Sequence, residues 1–126
     1  MRLQKQHQEF TRIDLEGDWE LPPGYETGSG AGQKILSGSL DEGARMGFRT
    51  RLLRFPPGFH TSIPFVHPYW EEVVLLEGDL WVGNDADGKG GEEFGPLTYA
   101  CRPPGVLHGP FKSVGGCLLL ESHYYY

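Results

Sequence analysis

Cysteine is scarce in this chain: Cys101 and Cys117 are the only two among 126 residues. Two thiols build no disulfide framework and stand in no zinc-ligand spacing, so both read as reduced core thiols. Positive charge is short as well. With 11 Lys and Arg against 17 Asp and Glu, the net charge is −6, which excludes a nucleic-acid backbone and an anionic membrane surface as partners, since both demand a basic patch. No apolar run approaches the ~20 residues of a membrane span. The opening MRLQKQHQEF lacks the hydrophobic stretch of a secretory signal, and a cytoplasmic location is the expectation. Long amphipathic periods of helical spacing are few, and no internal repeat is visible.

Turn formers are what the chain has in quantity. Its 19 Gly and 10 Pro, set between short apolar runs, indicate an all-β sandwich or barrel. A mass of 14.1 kDa bounds the chain at one domain, residues 1–126. Within it a core over about 33–122 follows an N-terminal arm and loop over 1–32. Residues 1–9 are polar and read as frayed, whereas Phe10, Ile13 and Leu15 suggest an edge strand, one that would lie on the sheet or against a second copy. QKILSGSL reads as a strand with Ile35 inward, and FRTRLLRF alternates so that either Phe48, Thr50 and Leu52 or Arg49, Arg51 and Leu53 form the inner face. Leu80–Val82 and Leu97–Ala100 look like two arms of a hairpin tipped by NDADGKGGEEF. Asp85 and Asp87 there read as solvated turn carboxylates, because a calcium loop in this register would start at Gly83 and end at Phe94, neither of which offers a side-chain oxygen. CLLLESHYY closes the sheet, giving eight or nine strands in all.

The chemistry concentrates in two stretches. Pro56–Gly78, PPGFHTSIPFVHPYWEEVVLLEG, carries two histidines and Glu71 ahead of a short strand over Val73–Leu76. If Glu71 opens that strand, it shares a face with Val73 and Leu75. A buried unpaired carboxylate costs several kcal/mol, on the order of a lost ionic partner, so an inward Glu71 requires a cation or an arginine beside it. Glu72 then points to the other face. The second stretch, Arg102-Pro-Pro-Gly-Val-Leu-His108-Gly-Pro110, again uses a Pro/Gly turn to deliver a histidine to a strand edge. His67, Glu71 and His108 form an imidazole–carboxylate–imidazole set suited to a divalent first-row metal. The bland alternatives are a surface or hydrogen-bonded imidazole for each histidine and a surface or capping carboxylate for Glu71. His7 and His123, at the two ends, read as solvent-exposed.

These two stretches resemble the paired signature motifs of the cupin superfamily, G-x5-H-x-H-x3/4-E-x6-G and G-x5-P-x-G-x2-H-x3-N. His67-Pro-Tyr-Trp-Glu71 supplies the second histidine and the glutamate, Gly78 closes the first motif, and Pro103-Pro-Gly105-Val-Leu-His108 supplies P-x-G-x2-H. Phe65 stands where the first histidine belongs, Leu97 at the second motif's opening glycine, and Lys112 at its final asparagine. Over residues 45–122 the wording is similar to small single-domain cupins of the ChrR type. The resemblance implies a double-stranded β-helix, or jelly-roll barrel, that holds a divalent metal (Fe, Zn, Ni or Mn) through His67, Glu71 and His108. His60 is a possible stand-in for the histidine missing at Phe65; the other reading makes Phe65 an apolar wall. It also implies a small-molecule ligand and a homodimer. Arg49 and Arg51 would bind a substrate carboxylate or enolate, unless they point outward to acidic partners. Phe65 and Trp81 would wall the pocket, and His108 or Tyr99 would act as acid or base. The function so implied is metal-dependent dioxygenase, lyase or isomerase chemistry on a carbonyl-bearing or anionic molecule. The alternatives are a ligand-sensing module without turnover and a metal-free cupin.

Overall fold

The computed structural model describes residues 5–126; of the stretch expected to be frayed, residues 1–4 lie outside the described residues. Nine strands follow one another: β1 (Gly32–Asp41), β2 (Met46–Phe55), β3 (Phe59–His60), β4 (Trp70–Gly78), β5 (Leu80–Val82), β6 (Glu92–Phe94), β7 (Tyr99–Arg102), β8 (Phe111–Ser113) and β9 (Cys117–Tyr124). They form a five-stranded sheet ordered β1-β2-β9-β4-β7 and a four-stranded sheet ordered β3-β8-β5-β6. All the ladders are antiparallel. Among the described residues no helix is long and apolar enough to cross a membrane.

Alternation decides which side chains meet between the sheets. On β4, Glu71, Val73 and Leu75 are buried while Glu72, Val74 and Leu76 face the other way, half-buried. On β9 the inward set is Leu119, Glu121 and His123. On β2 the choice left open by the sequence falls to Arg49, Arg51, Leu53 and Phe55, which line the interior. Leu53, Phe55, Phe59, Val73, Leu75, Leu80, Phe111 and Leu119 pack there as one apolar cluster. Gly78 closes β4 in the left-handed region, at φ 86°. Any Cβ there would lie 2.0 Å from the Gly116 carbonyl oxygen, so only glycine fits.

Four expectations are corrected. β5 pairs with β6 and not with Leu97–Ala100; β7 instead pairs with β4 in the opposite sheet. The link from Gly95 to Thr98 therefore crosses between sheets, a route that alternation within each strand does not reveal. Phe10–Leu15 forms no strand. The chain just ahead of this segment is held to β1 through a side chain, Gln8 donating to the Leu36 carbonyl, and Phe10 is fully exposed. Ile35 is exposed, next to a bulge between Ile35 and Ser37 that shifts the β1–β2 register. Cys101 is exposed, on the outward side of β7, while Cys117 is buried.

The core also reaches back before β1. Pro22 is fully buried, and the Tyr25 ring lies 5.8 Å from Phe55, 6.1 Å from Phe59 and 5.1 Å from Phe65.

Candidate metal centre

One row across the larger sheet builds the site. Strand pairing sets Arg49 of β2 opposite His123 of β9, His123 opposite Glu71 of β4, and Glu71 opposite Arg102 of β7. Directly opposed residues share a face, so four polar groups point into the barrel side by side. The next row adds Arg51 opposite Glu121. Two loops bring the remaining groups. Phe65 and His108 exchange backbone hydrogen bonds of 2.7 and 2.9 Å, and the Gly105 amide donates to the His67 carbonyl at 3.0 Å, stitching the loop after β3 to the loop after β7. His67 and His108 thereby stand with ring centres 4.9 Å apart.

The ligand atoms of His67, Glu71 and His108 all lie within 4.8 Å of one another. Their donor chemistry can be read atom by atom. His108 Nδ1 lies 3.3 Å from the Val106 carbonyl oxygen; a carbonyl only accepts, so Nδ1 carries a proton, and in the neutral imidazole Nε2 presents a lone pair. That lone pair faces Glu71 Oε2 at 3.1 Å. Glu71 Oε2 is itself buried with no hydrogen-bond donor; its nearest cation is the Arg102 guanidinium, with Nη1 at 3.5 Å. Two electron-pair donors in contact, shielded from water, need a proton or a cation between them.

His123 is bound differently. Arg49 approaches its Nδ1 with Nε at 3.2 Å and Nη2 at 2.8 Å. A guanidinium only donates, so Nδ1 accepts and the proton sits on Nε2. From there it faces Glu71 Oε1 at 3.2 Å and Glu121 Oε1 at 3.3 Å. A second cluster, Glu71, Glu121 and His123, is as compact, but in this tautomer His123 has no free lone pair. Glu121 is taken as well, receiving Arg51 Nε at 2.8 Å and Nη2 at 2.7 Å. Arg51 also donates to Gln33 at 2.7 Å. The His67–Glu71–His108 set is therefore the one fitted to a metal, with His123, Arg49, Glu121 and Arg51 behind it.

Ionisation agrees with that division. Burial pushes the His67 imidazole down to about 4, which keeps it neutral as a ligand must be. For Glu71 burial opposes the charge, yet the imidazoles beside it outweigh burial and hold the carboxyl well below the usual range. His108 does so when a proton on Nε2 bridges the pair in place of a cation, and His123 through its own Nε2. Glu121 is likewise held low, burial again being outweighed by the Arg51 guanidinium. Tyr69 stacks on His67 at 4.6 Å, and burial pushes its phenol up to about 12. The cavity framed by these groups offers about 40 Å³ to the centre of a water-sized sphere, room for an ion and a water or two.

The structure gathers His67, Glu71, His108, Arg49, Arg51 and Phe65 at this cavity and leaves three expected residues away from it. His60 is exposed on β3, its ring against Gly88 in the β5–β6 turn, where an added Cβ would come within 2.9 Å. It cannot replace the histidine missing at Phe65, whose ring forms an apolar wall beside Tyr25 and His108. Trp81 turns outward because Leu80 takes the inward position; its indole donates to Asp79 at 3.0 Å and its ring lies under Lys112. Tyr99 also points out, 60% exposed, and donates to Glu72, so it offers no proton to the cavity. Arg49 and Arg51 line the cavity, but their guanidinium groups are engaged by protein partners.

His123, Glu121 and Arg102 are the residues that sequence reasoning left without a role. A signal existed: Leu119, Glu121 and His123 share parity on the closing strand, so an inward apolar residue implies inward polar ones. Position near the chain end suggested exposure, yet His123 is fully buried because β9 lies in the middle of its sheet.

No family model matches the chain, and no curated protein does. Solved structures do. An RmlC-like cupin from Shewanella frigidimarina superposes with a TM-score of 0.65 at 17% identity, over 94% of this chain and 93% of the other. An acetylacetone dioxygenase from Acinetobacter johnsonii gives 0.64 at 19%, over 95% and 77%. The Rhodobacter sphaeroides SigE complex with the anti-sigma ChrR gives 0.57 at 19%, over 86% and 50%.

Proposed function

This chain has the cupin fold, and from that premise we propose that it is a metal-dependent enzyme acting on a small carbonyl-bearing or anionic organic molecule. His67, Glu71 and His108 would hold a divalent transition metal, Fe, Zn, Ni or Mn. The observation that carries this reading is the buried Glu71 Oε2, without a hydrogen-bond partner and 3.1 Å from His108 Nε2, a contact that a proton or a cation must bridge. Bound there, such an ion supplies Lewis acidity toward a carbonyl, carboxylate or enolate oxygen. The protein's own groups do the rest. His123 fixes Glu71 through Oε1, leaving Oε2 turned to the cavity, and Arg49 fixes the tautomer of His123. Phe65 and Phe111 keep water from one side, which strengthens every charge interaction inside. A homodimer belongs to the same proposal and is read directly by light scattering.

The test is elemental analysis of the purified protein, followed by thermal unfolding with Fe, Zn, Ni or Mn added. About one ion per chain is expected, lost in the double variant His67→Ala/His108→Ala. Metal-free protein whose melting temperature ignores all four ions would overturn it. Product analysis and an oxygen-uptake screen on diketones and hydroxy acids separate an enzyme from a ligand-sensing module: turnover supports the first, binding without turnover the second.

A further inference from the structure

A second cavity adjoins the candidate metal centre, and its position follows from the strand order. β6 and β7 are the free edges of their two sheets, and no ladder joins them. The link from Gly95 to Thr98 steps across, with Leu97 in the left-handed region at φ 66°. The seam this leaves opens into a cleft of about 260 Å³. Val73, Leu75, Leu80, Val82, Phe94 and Leu119 line it, an apolar wall set by the inward positions of β4, β5, β6 and β9, and the exposed Glu92 of β6 also borders it. Val73, Leu80, Leu119 and Arg102 line the metal-site cavity as well.

Arg102 is the one charged side chain common to both spaces. Among the described residues, no hydrogen bond within standard geometry ends on its guanidinium; its nearest anion is Glu71 Oε2, 3.5 Å from Nη1, and its Cζ stands 5.5 Å from the Phe111 ring centre. Arg49 and Arg51 spend their donors on His123, Glu121 and Gln33. Arg102 therefore brings a planar, permanently charged fork with donors to spare to the junction of a polar cavity and an apolar one. Pockets that hold small molecules have this composition, a mostly apolar lining with a few placed polar groups.

We infer that the ligand is an amphiphilic carboxylate, its carboxylate received by Arg102 and its aryl or branched acyl group lying in the seam between β6 and β7. The inference rests on the proposed function for the identity of the adjoining cavity and narrows the substrate class of that site. An apolar cavity of roughly 150 Å³ accepts benzene, so a phenyl ring fits the cleft with room to spare, whereas the metal-site cavity alone admits no such group.

Titration calorimetry of the full chain with 3-phenylpropionate, propionate and 3-phenylpropanamide tests this. The aryl acid should bind about tenfold or more tightly than either, one comparison reading the phenyl group and the other the charge. Arg102→Gln should erase the preference for acid over amide, and Ala100→Phe, which fills the cleft from β7, should erase the preference for phenyl over methyl. Equal affinities for the three probes in the unaltered protein, or an Arg102→Gln variant that still prefers the acid, would overturn the inference. The probe comparison needs no variant, so misfolding of Ala100→Phe leaves the test intact. Titrations before and after chelator treatment, with metal content measured alongside, distinguish the two proposals. Discrimination among the probes in protein that takes up no metal sinks the metal reading alone; metal uptake without discrimination sinks this one alone.

Discussion

Arg51 and Glu121 form a buried ion pair at 2.7 Å, both side chains about 5% exposed, and what they contribute separates from what each costs alone. Deleting one partner strands a charge in the core, which costs about 3–5 kcal/mol. Arg51→Met and Glu121→Leu should each lower urea-unfolding stability by that order, while the double variant recovers a large part of the loss. Additive losses would show that the two do not act as a pair. The pairing was only half legible in the sequence. Arg51 was visible as an inward candidate, but its partner lies on a strand far along the chain, and two-residue periodicity gives parity without saying which strands adjoin. Glu71 was readable because its own segment holds everything needed: Val73 and Leu75 fix its face, and the turn at Gly78 fixes where the strand stops. His60 misled for the complementary reason, since residues beside a short strand can be placed on either side by loops whose path no periodicity records.

At the scale of single strands, glycine positions show where backbones meet. Gly78 sits at φ 86°, with Gly116 and Cys117 backbone atoms inside 3 Å of any added Cβ, whereas Gly83 has a similar φ of 85° and nothing within 4 Å. Gly78→Ala should therefore destabilise by about 2 kcal/mol or more, combining backbone strain with a clash that rigid main chain cannot relieve. Gly83→Ala should cost about 1 kcal/mol, the conformational part alone. Chemical denaturation of both variants checks the difference; equal losses would refute the close-approach argument. The closing glycine of the first motif was recognisable from its spacing, but its reason, contact with the turn before β9, was not. The β5–β6 pairing was missed because Glu92–Phe94 carries a single apolar residue and reads as part of the hairpin tip.

For the molecule as a whole, the buried ionisable groups predict acid lability. His67 falls from an ordinary 6.5 to about 4, so the unfolded chain binds its proton first. Its contribution is complete above 6.5 and drains away as pH falls toward 4. Glu71 and Glu121 are depressed from 4.5, so theirs is present above that value and is lost on further acidification. Metal-free protein should show a melting temperature that declines in two stages from neutral pH to about pH 3, and His67→Asn should flatten the first stage only. A flat profile down to the carboxylate range in the unaltered protein would contradict the burial of His67 in the cavity wall. The fold class itself was legible from turn density and short runs, because such a pattern has few architectures available to it.

Pro22 and Tyr25 have a practical consequence. They reach the barrel interior from the segment ahead of the first strand, and Pro23 and Tyr25 form part of the cavity wall. A shortened expression variant begun at the first residue of regular pairing would have an unroofed, wetter chamber. A protease that cuts the glycine-rich stretch between Tyr25 and Ala31 could uncork the site without touching a single ligand-bearing strand.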